Sequence, residues 1–159
     1  MMINVLFVCL GNICRSPMAE SIFREKVKKA KLDELIQVSS AATGSWNLGD
    51  EPYSGTKEIL DKYGYSYEGM YASKIEPVDF ETYDYIIGMD QNNMKDLEGL
   101  APDVHLLEKL HLFLGDMAES DRQEVPDPYY TGDFDLTYEL VEKGTDYWLN
   151  RIKEDMKKS

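Results

Sequence analysis

Cys9 and Arg15 enclose five residues in the run Cys9-Leu10-Gly11-Asn12-Ile13-Cys14-Arg15-Ser16. An apolar segment, Val5 to Val8, leads into the run, and a helical pattern starting near Pro17 leads out of it. A short loop feeding a helix N-terminus turns backbone N–H groups toward one point, where the helix dipole also favours negative charge. The N–H groups of Leu10, Gly11, Asn12, Ile13, Cys14, Arg15 and Ser16 are thus expected to cradle an anion. Arg15 adds a rigid fork of donors matched to two oxygens of a phosphate. Cys9 stands where the same field favours a thiolate, the form of sulfur that attacks phosphorus. Gly11 and Asn12 are expected to take the unusual backbone angles that such a curl demands. A cysteine closing a buried strand is by itself ordinary packing. Set between strand and helix with Arg15 beyond it, the loop reads as built for phosphoryl transfer to sulfur.

The stretch from Val8 to Pro17 closely resembles the signature of the low-molecular-weight protein tyrosine phosphatases, without departure. A second element of that family is matched by Asp127-Pro128-Tyr129-Tyr130, over a hundred residues later. The likeness extends to Ser39–Thr43, Trp46–Gly49 and Tyr83–Asp90, and so spans nearly the whole chain. One departure stands out. Many members carry a histidine after the second helix that supports the phosphate loop, and the stretch from Tyr67 to Tyr71 has none. What completes the network behind Asn12 and Ser40 is therefore open.

The resemblance implies a protein-tyrosine phosphatase that needs no metal or organic cofactor. Cys9 is the expected nucleophile, forming a phosphocysteine, and Arg15 with the loop N–H groups is expected to stabilise the equatorial oxygens of the transition state. Asp127 is the expected general acid for the leaving phenolate and then the general base for water. By the same resemblance Ser16 donates a hydrogen bond to the sulfur; as a serine near a helix start it is equally readable as a cap. Trp46 and Tyr129 resemble the family's walls around the phosphotyrosine ring, with Leu10 at the base of one wall and Tyr130 at the rim. Core packing is the competing reading for each aromatic, and a regulatory phosphorylation site is a further one for Tyr130. Cys14 either fills space in the loop or traps an oxidised Cys9 as a disulfide.

Three other functions share parts of this pattern. Thioredoxin-coupled arsenate reductases resemble the loop but need two further cysteines downstream, and the chain has none after Cys14. Arginine phosphatases typically place threonine where Ile13 stands. A phosphotyrosine-binding module would need neither Cys9 nor Asp127.

Strand and helix signals alternate around these residues. Val5–Val8, Leu35–Ser39, Tyr85–Met89 and Val104–Leu107 read as strands. Helices are expected from Pro17, with Met18, Ala19, Ile22, Phe23 and Val27 on one face, over Thr56–Tyr63 with a stop at Gly64, over Asn92–Leu97, and over Phe134–Met156. In the last, Val141, Trp148, Ile152 and Met156 form an inward stripe, which assigns Trp148 to the core. The expected fold is α/β: one three-layer domain over residues 1–159, with a central four-stranded parallel sheet and helices on both faces. The irregular stretch from Gly115 to Gly132 is long for a connection and delivers Asp127.

A chain of 159 residues with 43% apolar content suits one core. No apolar run approaches the ~20 residues of a membrane span, and the first strand is a poor signal peptide. The cytoplasm is the expected location, and two cysteines there are expected to be free thiols. A formal charge of -13 disfavours nucleic acid and anionic membrane as partners. The expected partners are tyrosine-phosphorylated proteins, met by a monomer or weak homodimer. His105 and His111, the two histidines, fall in no metal-ligand spacing.

Overall fold

Along the first strand, Val5, Phe7 and Cys9 join one buried cluster while Leu6 and Val8 join another. A strand apolar on both faces must lie inside a sheet covered on both sides. The computed structural model, which describes residues 2–117, 120 and 122–158, shows that arrangement. Strands β1 (Ile3–Cys9), β2 (Ile36–Ala42), β3 (Tyr85–Gly88) and β4 (Leu110–Leu112) form a parallel sheet in the order β2-β1-β3-β4. Val5 pairs with Val38 on one side and Tyr85 on the other.

Helices α1 (Arg15–Lys29), α2 (Ser54–Tyr63) and α6 (Phe134–Lys158) cover one face. The stripe Met18, Ala19, Ile22, Phe23 and Val27 packs there as expected, against Val141, Trp148 and Ile152 of α6. Trp148 is fully buried, and its indole N–H donates to the Phe113 carbonyl at 2.9 Å. Met156, the fourth member of that stripe, is only half-buried at its margin. On the other face lie α3 (Asp79–Thr82), α4 (Gln91–Leu100) and a 3-10 turn over Val104–Lys109, contributing Phe80, Leu97 and Leu106. The last short helix, α5, spans Pro128–Thr131.

Several expectations are corrected. The fourth strand is not Val104–Leu107: Asp103 caps that segment by accepting from the His105 N–H at 3.2 Å, and it coils so that Leu106 reaches the core. The strand follows three residues later. Helix α1 begins at Arg15, two residues before Pro17, with Cys14 as its N-cap residue. Gly64 does stop α2, in a left-handed conformation at φ 79°. The stretch from Gly115 to Gly132 is not wholly irregular, since α5 lies within it; Ala118, Glu119 and Asp121 of that stretch fall outside the described residues.

Candidate active site

Strand β1 ends at Cys9 and α1 starts at Arg15, so the loop between them crosses the carboxyl edge of the sheet. Asn12 turns the loop through a left-handed backbone at φ 58°, which asparagine tolerates better than most residues. Gly11 is not left-handed. A Cβ there would lie 2.6 Å from Asn47 Nδ2, so a larger residue would displace the tip of that side chain.

The Cys9 sulfur accepts the Asn12 N–H at 3.3 Å and lies 3.0 Å from Ser16 Oγ. The direction of the second bond follows from its neighbours. Asn12 Oδ1 accepts the Ser73 N–H at 3.0 Å, which fixes the amide's orientation, and Asn12 Nδ2 then donates to Ser16 Oγ at 2.8 Å and to Ser40 Oγ at 2.9 Å. With Ser16 Oγ already accepting, its proton is free to point at the sulfur. Ser16 is the second residue of α1 and makes no cap, so of its two readings the structure favours the sulfur partner. The network behind Asn12 and Ser40 is complete without the histidine: Ser73 closes one side, and Ser40 Oγ donates to Glu20 Oε1 at 2.6 Å on the other.

The Arg15 side chain is only 2% exposed, and three carbonyl or carboxylate groups hold it. One terminal nitrogen donates to Asp90 Oδ2 at 2.6 Å and to the Val125 carbonyl at 2.9 Å, and the other to Asp127 Oδ2 at 3.4 Å. Burial by itself lowers the Arg15 pKa, but Cys9, Asp90 and Asp127 outweigh it and hold the guanidinium above its ordinary value. Its Nε is buried without a protein partner, so that its N–H is available to a bound oxyanion. Asp90 was missed from the sequence as a functional residue. Its position at the carboxyl end of β3 was the available signal, because ligands in such sheets bind there.

Asp127 sits beyond a pinned segment. The buried Val125 donates its N–H to the Met89 carbonyl at 2.9 Å while its own carbonyl holds Arg15, so both faces of that peptide strand are used. Asp127 then caps α5, accepting the Tyr129 N–H at 3.1 Å, with Pro128 at the first helical position.

A cleft of about 320 Å³ lies against these parts, and the buried Asn12, Arg15 and Ser16 are not among its lining residues. Cys9, Leu10, Gly11, Ile13, Cys14 and Asp127 border it, with Trp46, Asn47, Tyr129 and Tyr130 around its mouth. Trp46 is 76% exposed, Tyr130 75% and Tyr129 55%, which removes the core-packing reading for all three. Tyr129 makes edge contacts with Tyr53 at 5.4 Å and Tyr130 at 5.3 Å between centroids. Tyr53 in turn stacks on Phe134. Cys14 packs with Ile13, Ala72 and Phe134, and its thiol is pushed up to about 12 by burial and by the negative charge of Cys9 and Asp127. Among the described residues no group of histidine, cysteine and carboxylate side chains is arranged to hold a metal ion, and no helix is long and apolar enough to cross a membrane.

A strand-to-helix loop that presents a thiol above a buried arginine, with a carboxyl group across the cleft, defines a cysteine-dependent phosphatase site. The family model for low molecular weight phosphotyrosine protein phosphatase matches residues 4–158, and the chain belongs to that family. It is 43% identical over 154 residues to the low molecular weight protein-tyrosine-phosphatase YfkJ of Bacillus subtilis, covering 97% of this chain and 98% of that protein. To PtpA of Staphylococcus epidermidis, named in the same way, it is 46% identical over 155 residues, covering 97% and 96%. The crystal structure of YfkJ superposes with a TM-score of 0.95 at 42% identity, covering 98% of this chain and 97% of that one. A drosophila arginine phosphatase, DARP, shares the fold at a TM-score of 0.86 and 32% identity, covering 94% and 97%.

Proposed function

We propose that the protein hydrolyses phosphotyrosine in proteins, with Cys9 as nucleophile, Arg15 as phosphate ligand and Asp127 as general acid and base. The carrying observation is the Cys9 sulfur, which receives an N–H from Asn12 and the Ser16 hydroxyl at the floor of a cleft that Asp127 also borders. In the first step the sulfur forms a bond to phosphorus as the P–O bond to the phenol breaks, and Asp127 gives its proton to the departing oxygen. In the second, Asp127 takes a proton from water, the resulting oxygen attacks phosphorus, and the S–P bond breaks to release inorganic phosphate. Arg15 and the loop N–H groups carry the charge of the equatorial oxygens through both steps. Positioned acid–base help of this kind is typically worth 10²–10⁴-fold. Trp46 and Tyr129 line the approach and suit an aromatic ring. Both cysteines are free, in keeping with action in a reducing cytoplasm.

The second reading, phosphoarginine hydrolysis, is favoured by the likeness to the arginine phosphatase structure. Against it stands Ile13, which is 9% exposed at the cleft and brings an apolar side chain where a charged guanidinium would be desolvated. Turnover measured side by side on phosphotyrosine, phosphoserine and phosphoarginine peptides decides between them. Preference for phosphotyrosine supports the first reading, and preference for phosphoarginine overturns it.

Cys14 is proposed to protect Cys9. Peroxide converts the Cys9 thiolate to a sulfenic acid, and the Cys14 thiol then condenses with it, forming the disulfide and releasing water. Oxidation also removes the Cys9 charge that helps keep the Cys14 thiol protonated. Cys14→Ser is expected to be active at first but to lose activity irreversibly after peroxide, where the parent recovers with reductant. Equal recovery, with no Cys9–Cys14 link seen by mass spectrometry in the parent, returns Cys14 to a packing role.

A further inference from the structure

Behind the phosphate loop, a ladder of hydrogen bonds runs from the Cys9 sulfur through Ser16, Asn12 and Ser40 to Glu20. Glu20 lies one helical turn from Arg24 on α1, and its second oxygen accepts from the Arg24 guanidinium. Pairs at this spacing on an exposed helix are common and nearly neutral. This one differs in burial and in attachment: the Glu20 side chain is 12% exposed, the Arg24 side chain 50%, and the guanidinium also donates to the Val38 carbonyl of β2 at 3.0 Å.

The ladder has a required direction. An ionised Glu20 can only accept, so the Ser40 proton points to it, and Ser40 Oγ is left to accept from Asn12. Asn12 spends its two amide hydrogens on Ser40 and Ser16, and Ser16 in turn points its proton at Cys9. The Ser73 N–H orients the Asn12 amide, both serines accept from it, and the Ser40 end of the series is anchored on a carboxylate whose cation is Arg24. Among the charged side chains bordering the cleft behind the loop, Glu20, Lys74, Glu76 and Asp79, Glu20 is the one bonded into the ladder. At the sulfur end the facing charged groups are Arg15 and Asp127.

We propose that Arg24, acting through Glu20, is a positioning residue that anchors the far end of this ladder and thereby holds Asn12, and with it the Ser16 hydroxyl, in place on the Cys9 sulfur. No histidine takes part. The pair sits between α1 and β2, away from the residues that line the cleft that would receive substrate, and touches no reacting atom. The inference uses the proposed role of Cys9, but its test reads the sulfur directly.

The experiment measures the rate of Cys9 alkylation by iodoacetamide against pH, in the full chain, for the parent and for Arg24→Met, Arg24→Lys and Glu20→Gln. Lys143→Met serves as a control, removing another i, i+4 pair on the exposed surface of α6, outside the ladder. Arg24→Met and Glu20→Gln are expected to move the alkylation profile to higher pH and to lower kcat on an aryl phosphate roughly 2- to 30-fold, the range for changes along a coupled network. KM should change far less, and Arg24→Lys should restore most of the effect by returning the charge. Lys143→Met should leave the profile in place. Superimposable profiles for the parent, Arg24→Met and Glu20→Gln overturn the proposal, even if the parent hydrolyses phosphotyrosine. A shift in Arg24→Met that Arg24→Lys reverses supports it, even if the parent prefers another phosphorylated substrate. Should Glu20→Gln fold poorly, the Arg24 pair of variants decides alone.

Discussion

The floor of the cleft and its mouth are held by different forces. At the floor, Arg15 is buried and three of its bonds go to residues more than seventy positions away, while Asn12 joins Ser16, Ser40 and Ser73. At the mouth, Trp46, Tyr129 and Tyr130 are exposed, and the tyrosines are tied mainly to one another by ring contacts. Buried polar groups are costly unless fully satisfied, so the floor tolerates one arrangement. Exposed rings contribute area and can turn, so the mouth admits alternatives. Chemistry and selection are thereby separable: changes at the floor should act on kcat, and changes at the mouth on KM.

Cys9→Ser tests the floor most severely. It should abolish measurable turnover while leaving orthovanadate binding, observed by calorimetry, in place, because Arg15 and the loop N–H groups remain. Next in size, Asp127→Asn should slow phenyl phosphate by roughly 10²–10⁴-fold but p-nitrophenyl phosphate much less, since only the poorer leaving group needs the proton. Equal losses on the two substrates would make Asp127 a structural cap of α5. At the mouth, Trp46→Ala should raise KM for a phosphotyrosine peptide by roughly 2- to 13-fold with kcat nearly unchanged, matching the ~0.5–1.5 kcal/mol of a ring contact. A fall in kcat without a change in KM would erase the distinction between the two regions.

A different effect, read in stability and not in turnover, appears in alkali. Cys14 ionises at about 12 in the folded protein against an ordinary value of 9.0, so over that interval the unfolded chain has released a proton that the folded one retains. Stability contributed by the neutral thiol is complete below about pH 9 and declines as pH rises toward about 12. Urea midpoints for Cys14→Ser should fall less steeply over that window than those of the parent.

The parts readable from the sequence are those encoded by neighbours in the chain. The strand, the loop and the helix from Val5 to Val27 interact along a continuous segment, and alternation followed by helical spacing reveals them. Asp90 and Glu20 were not found: Asp90 follows β3 at the carboxyl edge of the sheet, but which of thirty acidic side chains grips Arg15 or Ser40 is decided across the fold. Strand β4 was misplaced for a related reason. Three residues are too few to show alternation, and Leu106 nearby is apolar because its turn must reach the core. For Gly11 the expected left-handed angle is absent, and the nearest crowding is the tip of the Asn47 side chain.

The double anchoring of Val125 has a consequence for how this chain tolerates change. Because Val125 is clipped to Met89 through its N–H and to Arg15 through its carbonyl, the placement of Asp127 is reset there, whatever path the chain has taken since β4. Residues inserted upstream of Val125 lengthen a connection at a small, slowly growing entropic cost. A single residue added between Val125 and Asp127 swings the carboxyl group away from the sulfur. The site therefore has a register mark two residues before its acid, and a graft for a label or an affinity handle belongs on the upstream side of it.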